Sequence, residues 1–261
     1  MTILDQLADH ARARVALARQ QLPMDAIRQQ ALSLPRGDFA FERALKGPGI
    51  SFICECKKAS PSKGLIAPDF PYLDIARAYE AAGADCISVL TEPKGFLGSD
   101  RYLQEIAAAV SIPCLRKDFT VDPYMIYEAK LLGAAAVLLI CSILPEEMLR
   151  ESLCICDTLG LSALVEVHDA QEAAAAVRSG ARIIGVNNRN LKDFSVDPEN
   201  SRRLRSQIPP EILFVAESGV QNARDVQLLR QIGADAVLVG EALMRAADKK
   251  TMLAELRGDT P

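Results

Sequence analysis

Charged side chains stand at the end of a short apolar run near the start of the sequence. Residues 50–64 read Ile-Ser-Phe-Ile-Cys-Glu-Cys-Lys-Lys-Ala-Ser-Pro-Ser-Lys-Gly, a run typical of a buried strand followed by a polar turn. On a strand, Glu55 and Lys57 lie on the face of Ile53, so a carboxylate and an ammonium project side by side. Because burying charge is costly unless it faces solvent or a ligand, these side chains predict either an ion pair at a strand end or one wall of a pocket.

Later apolar runs end in polar side chains in the same way. Lys117 shares a strand face with Leu115, and Glu166 shares one with Leu164. The polar side chains at these later strand ends are Lys117, Glu166, the pair Asn187 and Arg189, and Glu217. One charged strand end is compatible with a structural ion pair, but several that converge on one mouth indicate acid–base chemistry on a bound ligand.

Two turns that contain glycine predict a phosphate site. Glu217-Ser218-Gly219 and Val239-Gly240-Glu241 each follow an apolar run near the end of the chain. A single glycine after a strand is usually only a turn, but barrels of parallel strands often bind phosphate through backbone N–H groups at these two positions. The candidate phosphate-binding residues are Ser60, Ser218, Gly219, Gly240 and Glu241, the last through its backbone N–H.

Repeated strand–helix units must bring these residues together. Predicted strands cover residues 51–55, 86–90, 113–117, 136–140, 163–167, 182–186, 212–216 and 236–239. Amphipathic stretches lie between them, so the strands are expected to be parallel. The pattern predicts an α/β fold, a (β/α)8 TIM barrel of about 250 residues with its active site at the carboxyl ends of the strands. An open doubly wound sheet is the alternative, but it would leave two long, apolar edge strands.

The start of the chain precedes the barrel. Residues 3–33 contain no glycine and have helical periodicity, with apolar stripes made of Ile3, Leu4, Leu7, Ala11 and Val15 and, after Pro23, of Met24, Ile27 and Ala31. Residues 1–45 are therefore predicted to form an N-terminal helical extension. No linker or charge block marks a second domain, so we expect residues 1–261 to form a single (β/α)8 barrel domain.

Composition limits the possible partners. The net charge of −4 argues against a general nucleic-acid binder, which usually carries a basic face. The sequence contains no run of about 18 apolar residues, so no membrane partner is expected. The start of the chain lacks the basic and apolar regions of a signal peptide, which predicts a cytoplasmic protein. Both a monomer and a weak homodimer remain open.

The cysteines are expected to be structural. Their number, 7, is odd in a chain without a secretion signal, which argues against a disulfide framework. Cys54/Cys56 and Cys154/Cys156 have Cys-x-Cys spacing, whereas zinc sites usually have Cys-x-x-Cys pairs or nearby histidines. We expect both pairs to be buried as small apolar side chains. The chain has 2 histidines, which leaves little for a metal site, and neither a metal nor a cofactor is predicted.

These motifs resemble one family, indole-3-glycerol-phosphate synthase. The segment 55–64, Glu-Cys-Lys-Lys-Ala-Ser-Pro-Ser-Lys-Gly, is similar to its signature after the first strand. Further motifs follow in the family's order, namely Arg-Lys-Asp-Phe at 116–119, Leu-Val-Glu-Val-His at 164–168, Asn-Asn-Arg-Asn-Leu at 187–191 and Glu-Ser-Gly at 217–219. The resemblance implies a lyase of tryptophan biosynthesis whose substrate is a phosphosugar, 1-(2-carboxyphenylamino)-1-deoxyribulose 5-phosphate. The implied products are indole-3-glycerol phosphate, carbon dioxide and water.

The resemblance also implies roles for the charged strand ends. Lys117 would be the general acid for the ribulose C2 carbonyl, and we expect nearby cations and apolar walls to lower its pKa. Glu166 would transfer a proton in the dehydration, while Glu55 would orient the lysines or share that work. Lys57 suits the substrate carboxylate or a later acid step. Asn187 and Arg189 would hold hydroxyls and charge, and Glu217 completes the catalytic candidates.

An apolar pocket is implied for the anthranilate ring. Its candidate residues are Phe96, Phe119, Leu138, Leu191 and Leu238. The chain has no tryptophan, and its N-terminal helices lack an obvious aromatic side chain to cover the ring. How the ring is clamped therefore stays open, whereas the reaction class does not depend on it.

Other functions must be weighed against this one. A Schiff-base lyase would use Lys57 or Lys117 as its nucleophile. A sister isomerase of the same pathway would use a Cys/Asp pair, which no strand end offers. A regulatory barrel that only binds a phosphosugar would need the glycine turns but not Glu55, Lys117 and Glu166 together.

Overall fold

A closed barrel of parallel strands forms the centre of the computed structural model, which describes residues 2–190 and 194–259. The barrel strands are β1 (Ser51–Cys56), β2 (Cys86–Leu90), β3 (Cys114–Lys117), β4 (Ala136–Ile140), β5 (Ser162–Val167), β6 (Ile183–Asn187), β7 (Leu213–Glu217) and β8 (Ala236–Val239). They pair in chain order, and β8 closes the barrel on β1, with Ala236 opposite Ser51. The predicted strands and the (β/α)8 TIM-barrel class are confirmed.

Alternation along each strand separates two cores. Ile53, Leu115 and Leu164 belong to a core that draws side chains from all the barrel strands and fills the barrel interior. Phe52 and Cys54 belong to the larger core between the barrel and the helices. Inward-facing side chains at the carboxyl end of each strand therefore line the mouth of the barrel.

The helices surround the barrel and precede it. They are α1 (Ile3–Gln21), α2 (Met24–Ser33), α3 (Ala40–Ala44), α4 (Tyr72–Ala81), α5 (Asp100–Ala109), α6 (Pro123–Leu131), α7 (Glu146–Leu159), α8 (Ala170–Ser179), α9 (Glu199–Arg205), α10 (Ala223–Gln231), α11 (Glu241–Arg245) and α12 (Lys249–Arg257). Polar N-caps start several of them, as where Asp169 accepts the backbone N–H of Glu172 at the start of α8. A small hairpin of Ala59–Ser60 and Gly64–Leu65 follows β1.

The N-terminal helices reach both ends of the barrel. Arg14 of α1 makes two hydrogen bonds to the carboxylate of Asp118, just beyond β3, at 3.1 and 2.6 Å. At the opposite end, Phe41 and Leu45, in and just after α3, join the core inside the barrel. The segment between α2 and α3 passes close to the C-terminus of α7. A Cβ on Gly37 would lie 2.4 Å from the carbonyl oxygen of Gly160, so this approach requires glycine at position 37.

The prediction for the cysteines is partly wrong. Cys54, Cys56 and Cys156 are buried, as expected, but Cys154 is exposed. Cys154 and Cys156 are two positions apart on α7, which places them on opposite sides of the helix, so Cys154 faces solvent when Cys156 packs inward. No helix in the described part of the chain has the length and apolar character that a bilayer span requires.

Candidate active site

A cavity of about 1000 Å³ opens at the carboxyl end of the barrel. All of the predicted site residues that lie within the described ranges line it. From the catalytic set these are Glu55, Lys57, Lys117, Glu166, Asn187, Arg189 and Glu217; from the phosphate set, Ser60, Ser218, Gly219, Gly240 and Glu241; from the ring pocket, Phe96, Phe119, Leu138 and Leu238. Leu191 lies outside the described residues.

Lys117 lies between two buried carboxylates. Its Nζ atom is 3.1 Å from Oε2 of Glu166 and 3.5 Å from Oε2 of Glu217. Neighbouring side chains on a strand point to opposite faces, so Asp118 points away from the cavity and pairs with Arg14. Lys117 is therefore free of its sequence neighbour and faces the cavity.

The expected lowering of the Lys117 pKa is wrong. Burial alone would lower the pKa, but the charges of Glu166, Glu217 and Glu55 outweigh burial and raise the pKa above its ordinary value. The prediction assumed cationic neighbours, whereas the strands on either side of the cavity supply carboxylates. Lys117 is consequently held as an ammonium, which is a poor nucleophile.

Glu166 is held as a carboxylate. Its Oε1 accepts a hydrogen bond from Nδ2 of Asn187 at 3.2 Å and lies 3.3 Å from Nε2 of His168. Burial raises its pKa, but Lys117, His168 and Asn187 together hold that pKa below the ordinary range. Glu166 can therefore accept a proton when Lys117 gives one up.

Glu217 has the opposite environment. Burial raises its pKa to about 7, because the opposing charge of Lys117 is offset in part by Glu166 and Glu55. Among the residues that the structure describes, none forms a hydrogen bond with its Oε1, and a Cβ on Gly185 would lie 2.1 Å from that oxygen. Two neighbouring carboxyl groups whose pKa values are pushed apart form a natural acid–base set.

Glu55 and Lys57 form a second ion pair across the cavity. Lys57 Nζ lies 2.6 Å from Oε1 of Glu55, as their shared strand face predicts. A Cβ on Gly240 would lie 2.5 Å from Glu55 Oε1 and 2.8 Å from Lys57 Nζ. Glycine at position 240 is thus what lets the pair approach the turn after β8.

The predicted phosphate residues lie around one end of the cavity. Ser218 and Gly219 both have left-handed backbones, with φ of 65° and 97°, and Ser218 Oγ donates to Oδ1 of Asn187 at 2.9 Å. The Glu241 carboxylate lies 3.1 Å from Arg245 and 3.6 Å from Lys63, so its charge is directed at these two cations. Arg245 and Lys63 also line the cavity, and sequence reasoning missed both because they lie on a helix and a loop rather than at strand ends.

The apolar part of the cavity is built from two sources. The rings of Phe96 and Phe119 lie 6.2 Å apart, centroid to centroid. Ile3, Leu4 and Leu7 of α1 line the same cavity. The sequence pattern identified these three residues only as a packing stripe. In a chain without an aromatic residue on α1, they supply an aliphatic wall instead.

Two arginines near the cavity have hydrogen-bond partners of their own, and only the first of them was a predicted site residue. Arg189, a predicted residue, donates from Nη1 to the carbonyl oxygen of Phe194 at 3.1 Å and from its backbone N–H to Oδ1 of Asn187 at 3.0 Å. Arg116, one residue before Lys117, is buried on the outer side of β3 and bonds Asp100 at 2.7 Å and Glu128 at 2.6 Å. The sequence feature that could have identified Arg116 is a charged residue at a strand position that faces away from the barrel interior.

Comparison with known proteins decides the family. A sequence model of the indole-3-glycerol phosphate synthase family matches residues 4–256. The chain belongs to the indole-3-glycerol phosphate synthase family. This confirms the resemblance predicted from the strand-end motifs.

Individual relatives agree over nearly their whole length. The chain is 55% identical to an indole-3-glycerol phosphate synthase of Ruminiclostridium cellulolyticum, covering 98% of this chain and 99% of the relative. It is 50% identical to one of Lacticaseibacillus casei, covering 98% of each. Among solved structures, a 3-hexulose-6-phosphate synthase matches with a TM-score of 0.65 at 15% identity, over 81% of this chain and 100% of the other, which supports the fold alone.

Proposed function

We propose that this chain catalyses the ring closure, decarboxylation and dehydration of 1-(2-carboxyphenylamino)-1-deoxyribulose 5-phosphate to indole-3-glycerol phosphate, carbon dioxide and water. One observation carries the proposal for the site: the Lys117 ammonium lies 3.1 and 3.5 Å from two buried carboxylates whose pKa values are shifted in opposite directions. This arrangement can give and take protons at a substrate that needs both.

The two ends of the cavity suit the two ends of the substrate. Backbone N–H groups of Gly219 and Gly240, with Ser60 and Ser218 beside them, would bind the phosphate, and Lys63 and Arg245 would add positive charge. The anthranilate ring would lie against Phe96, Phe119 and the aliphatic residues of α1. This orientation places the ribulose carbonyl between the two ends, where Lys117 lies.

Lys117 acts first as a general acid. The ring carbon that carries the carboxylate attacks C2, the carbonyl electron pair moves to oxygen, and Lys117 supplies the proton. The bond to the carboxylate then breaks as carbon dioxide leaves, and its electron pair restores the aromatic ring. A lysine that stays protonated when the site is empty suits this step, because it arrives with the proton already in place.

The second half of the reaction removes water. The C2 hydroxyl leaves with a proton from a lysine, and Glu166 takes a proton from C1 so that the indole double bond forms. Glu217 can return a proton to Lys117, because its pKa lies near 7 and its Oε2 is 3.5 Å from Nζ. Lys57, paired with Glu55, is placed to bind the substrate carboxylate or to serve as the later acid. Asn187 and Arg189 would hold hydroxyl groups and charge.

The finer properties of the protein are proposals as well. All steps are redox-neutral acid–base chemistry, so we propose that no cofactor takes part. We further propose a cytoplasmic protein of one domain that exists as a monomer or a weak homodimer. Sedimentation of the purified chain over a range of concentrations tests the oligomeric state.

Incubation with the anthranilate ribulose phosphate tests the proposed function. Indole fluorescence should appear together with one equivalent of carbon dioxide, and the Glu166→Gln protein should lose most of this activity. Absence of both products would contradict the proposal. Borohydride added during turnover should trap nothing, because a protonated Lys117 does not form a Schiff base; a covalent adduct would support a Schiff-base lyase instead.

A further inference from the structure

His168 lies directly beyond β5, two residues after Glu166. Its ring contacts Glu166 on one side and Glu172 of α8 on the other, and it does not line the cavity. Asn200 donates a hydrogen bond to the backbone carbonyl of His168 at 3.1 Å. The side chain therefore belongs to a layer that supports the site from behind, and the proton transfers described above do not use it.

Both ring nitrogens of His168 face carboxylate oxygens. Nδ1 lies 3.0 Å from Oε2 of Glu172, within a hydrogen bond, and Nε2 lies 3.3 Å from Oε1 of Glu166, an ion-pair contact that is not aligned as a hydrogen bond. The backbone N–H of His168 donates to the same Glu172 oxygen at 2.8 Å. A neutral imidazole has only one N–H donor, whereas the imidazolium has two. Two facing carboxylates are therefore matched by the charged form.

The surroundings of the ring favour the same state. Burial lowers the pKa of His168, but its contacts with Glu166 and Glu172 outweigh burial and raise the pKa to about 10. Asp169, the next residue, directs its carboxylate at the start of α8, where it accepts the backbone N–H of Glu172 at 2.9 Å. Cys141, from the turn after β4, remains a neutral thiol because burial and these carboxylates raise its pKa to about 12. Lys117 also contacts Glu166, at the opposite oxygen.

We propose that His168 is a positioning residue: an imidazolium, anchored by Glu172, that holds Oε1 of Glu166 so that Oε2 faces Lys117. This inference rests on the proposed function for its effect on turnover. When Lys117 gives its proton to the substrate, Glu166 loses a neighbouring positive charge. His168 then keeps Glu166 ionised and correctly turned, so that the carboxylate is available for the dehydration step.

Nuclear magnetic resonance of protein labelled with ¹⁵N-histidine tests the charge directly. The chain has 2 histidines, and the His10→Gln protein assigns the remaining signals to His168. At about pH 8, both ring nitrogens of His168 should be protonated. The Glu172→Gln change should lower the pH at which the ring loses its proton by at least about one unit. Two results would overturn the proposal: a neutral His168 ring at about pH 8, or a ring that loses its proton at the same pH in Glu172→Gln as in the unchanged protein.

Kinetics test the positioning role. His168→Gln and Glu172→Gln should lower kcat at least about tenfold with KM changed less than about threefold, because the substrate contacts remain. In Glu172→Gln, kcat should also fall at a lower pH on the alkaline side than in the unchanged protein, as His168 loses its proton. Glu146→Gln is the matched control, since Glu146 pairs with Arg178 at 2.9 Å and does not touch His168. Unchanged kcat and pH profile in Glu172→Gln would contradict the role.

The two experiments separate this inference from the proposed function. The resonance measurement needs no turnover, so it decides the charge of His168 even if the protein makes no indole product. A neutral His168 in a protein that does make indole product would overturn the inference alone. If His168→Gln does not fold, Glu172→Gln retains the histidine and carries the test.

Discussion

The Nζ atom of Lys117 lies 3.5 Å from Oε2 of Glu217, yet Glu217 keeps a pKa of about 7. One ammonium cannot compensate two buried carboxylates, and Glu166 has the closer contact, at 3.1 Å. Glu217 therefore carries an unfavourable charge whenever it ionises. The site thus keeps a carboxyl group that can supply a proton near neutral pH, at the expense of stability.

The first prediction concerns the stability of Glu217→Gln. The folded pKa of Glu217 is raised from 4.5 to about 7, so its stabilising proton is fully bound below about pH 4.5 and is lost as pH rises through 7. The variant should match the unchanged protein at about pH 4.5 and be more stable at about pH 8, on the order of 1–3 kcal/mol, while turnover falls. Thermal unfolding at both pH values measures this. Glu211→Gln, an exposed carboxylate, is the control, and a less stable Glu217→Gln at pH 8 would contradict the expectation.

The second prediction concerns the space beneath Glu217. A Cβ on Gly185 would lie 2.1 Å from Glu217 Oε1, so Gly185→Ala must displace that carboxylate. We expect kcat to fall at least about tenfold, with the phosphate-end contacts and KM little changed. Gly47→Ala is the control, because a Cβ there meets its nearest atom only at 3.9 Å. Equal kcat values for the two variants would refute the proposed placement of Glu217.

The third prediction concerns the attachment of α1. Arg14 holds the buried Asp118 with two hydrogen bonds, and the same helix, α1, supplies the aliphatic wall of the cavity. Arg14→Ala should raise KM at least about tenfold with a smaller effect on kcat, since the wall binds the ring and takes no part in proton transfer. Arg12→Ala removes an exposed arginine of the same helix, paired with Asp9. Steady-state kinetics should separate the two; a KM for Arg14→Ala equal to that of the control would show that the contact is not needed for binding.

The barrel and the residues at its mouth follow from local patterns. Alternation along β1 fixes Glu55 and Lys57 on the inner face, and the same rule separates Lys117 from Asp118. These statements need only the chain within one strand. The strand-end residues that this rule places on inner faces line one cavity.

The electrostatic state of the site does not follow from local patterns. Whether the Lys117 pKa rises or falls depends on Glu166 and Glu217, which come from strands far along the chain. The contact between His168 and Glu172 depends on how α8 starts after β5, and the α1 wall depends on where α1 docks. Distances between elements decide these features, and the sequence pattern contains no measure of them.

Proton donation by Lys117 is the step on which the proposed reaction depends. The most direct measurement compares turnover of the anthranilate ribulose phosphate by the Lys117→Met and unchanged proteins, with binding of the same ligand measured alongside. Lys58→Met is the control, because Lys58 follows β1 and does not line the cavity. We expect Lys117→Met to lose at least about 100-fold in kcat while binding stays within about tenfold. Near-normal turnover by Lys117→Met would contradict the role of Lys117 as the acid.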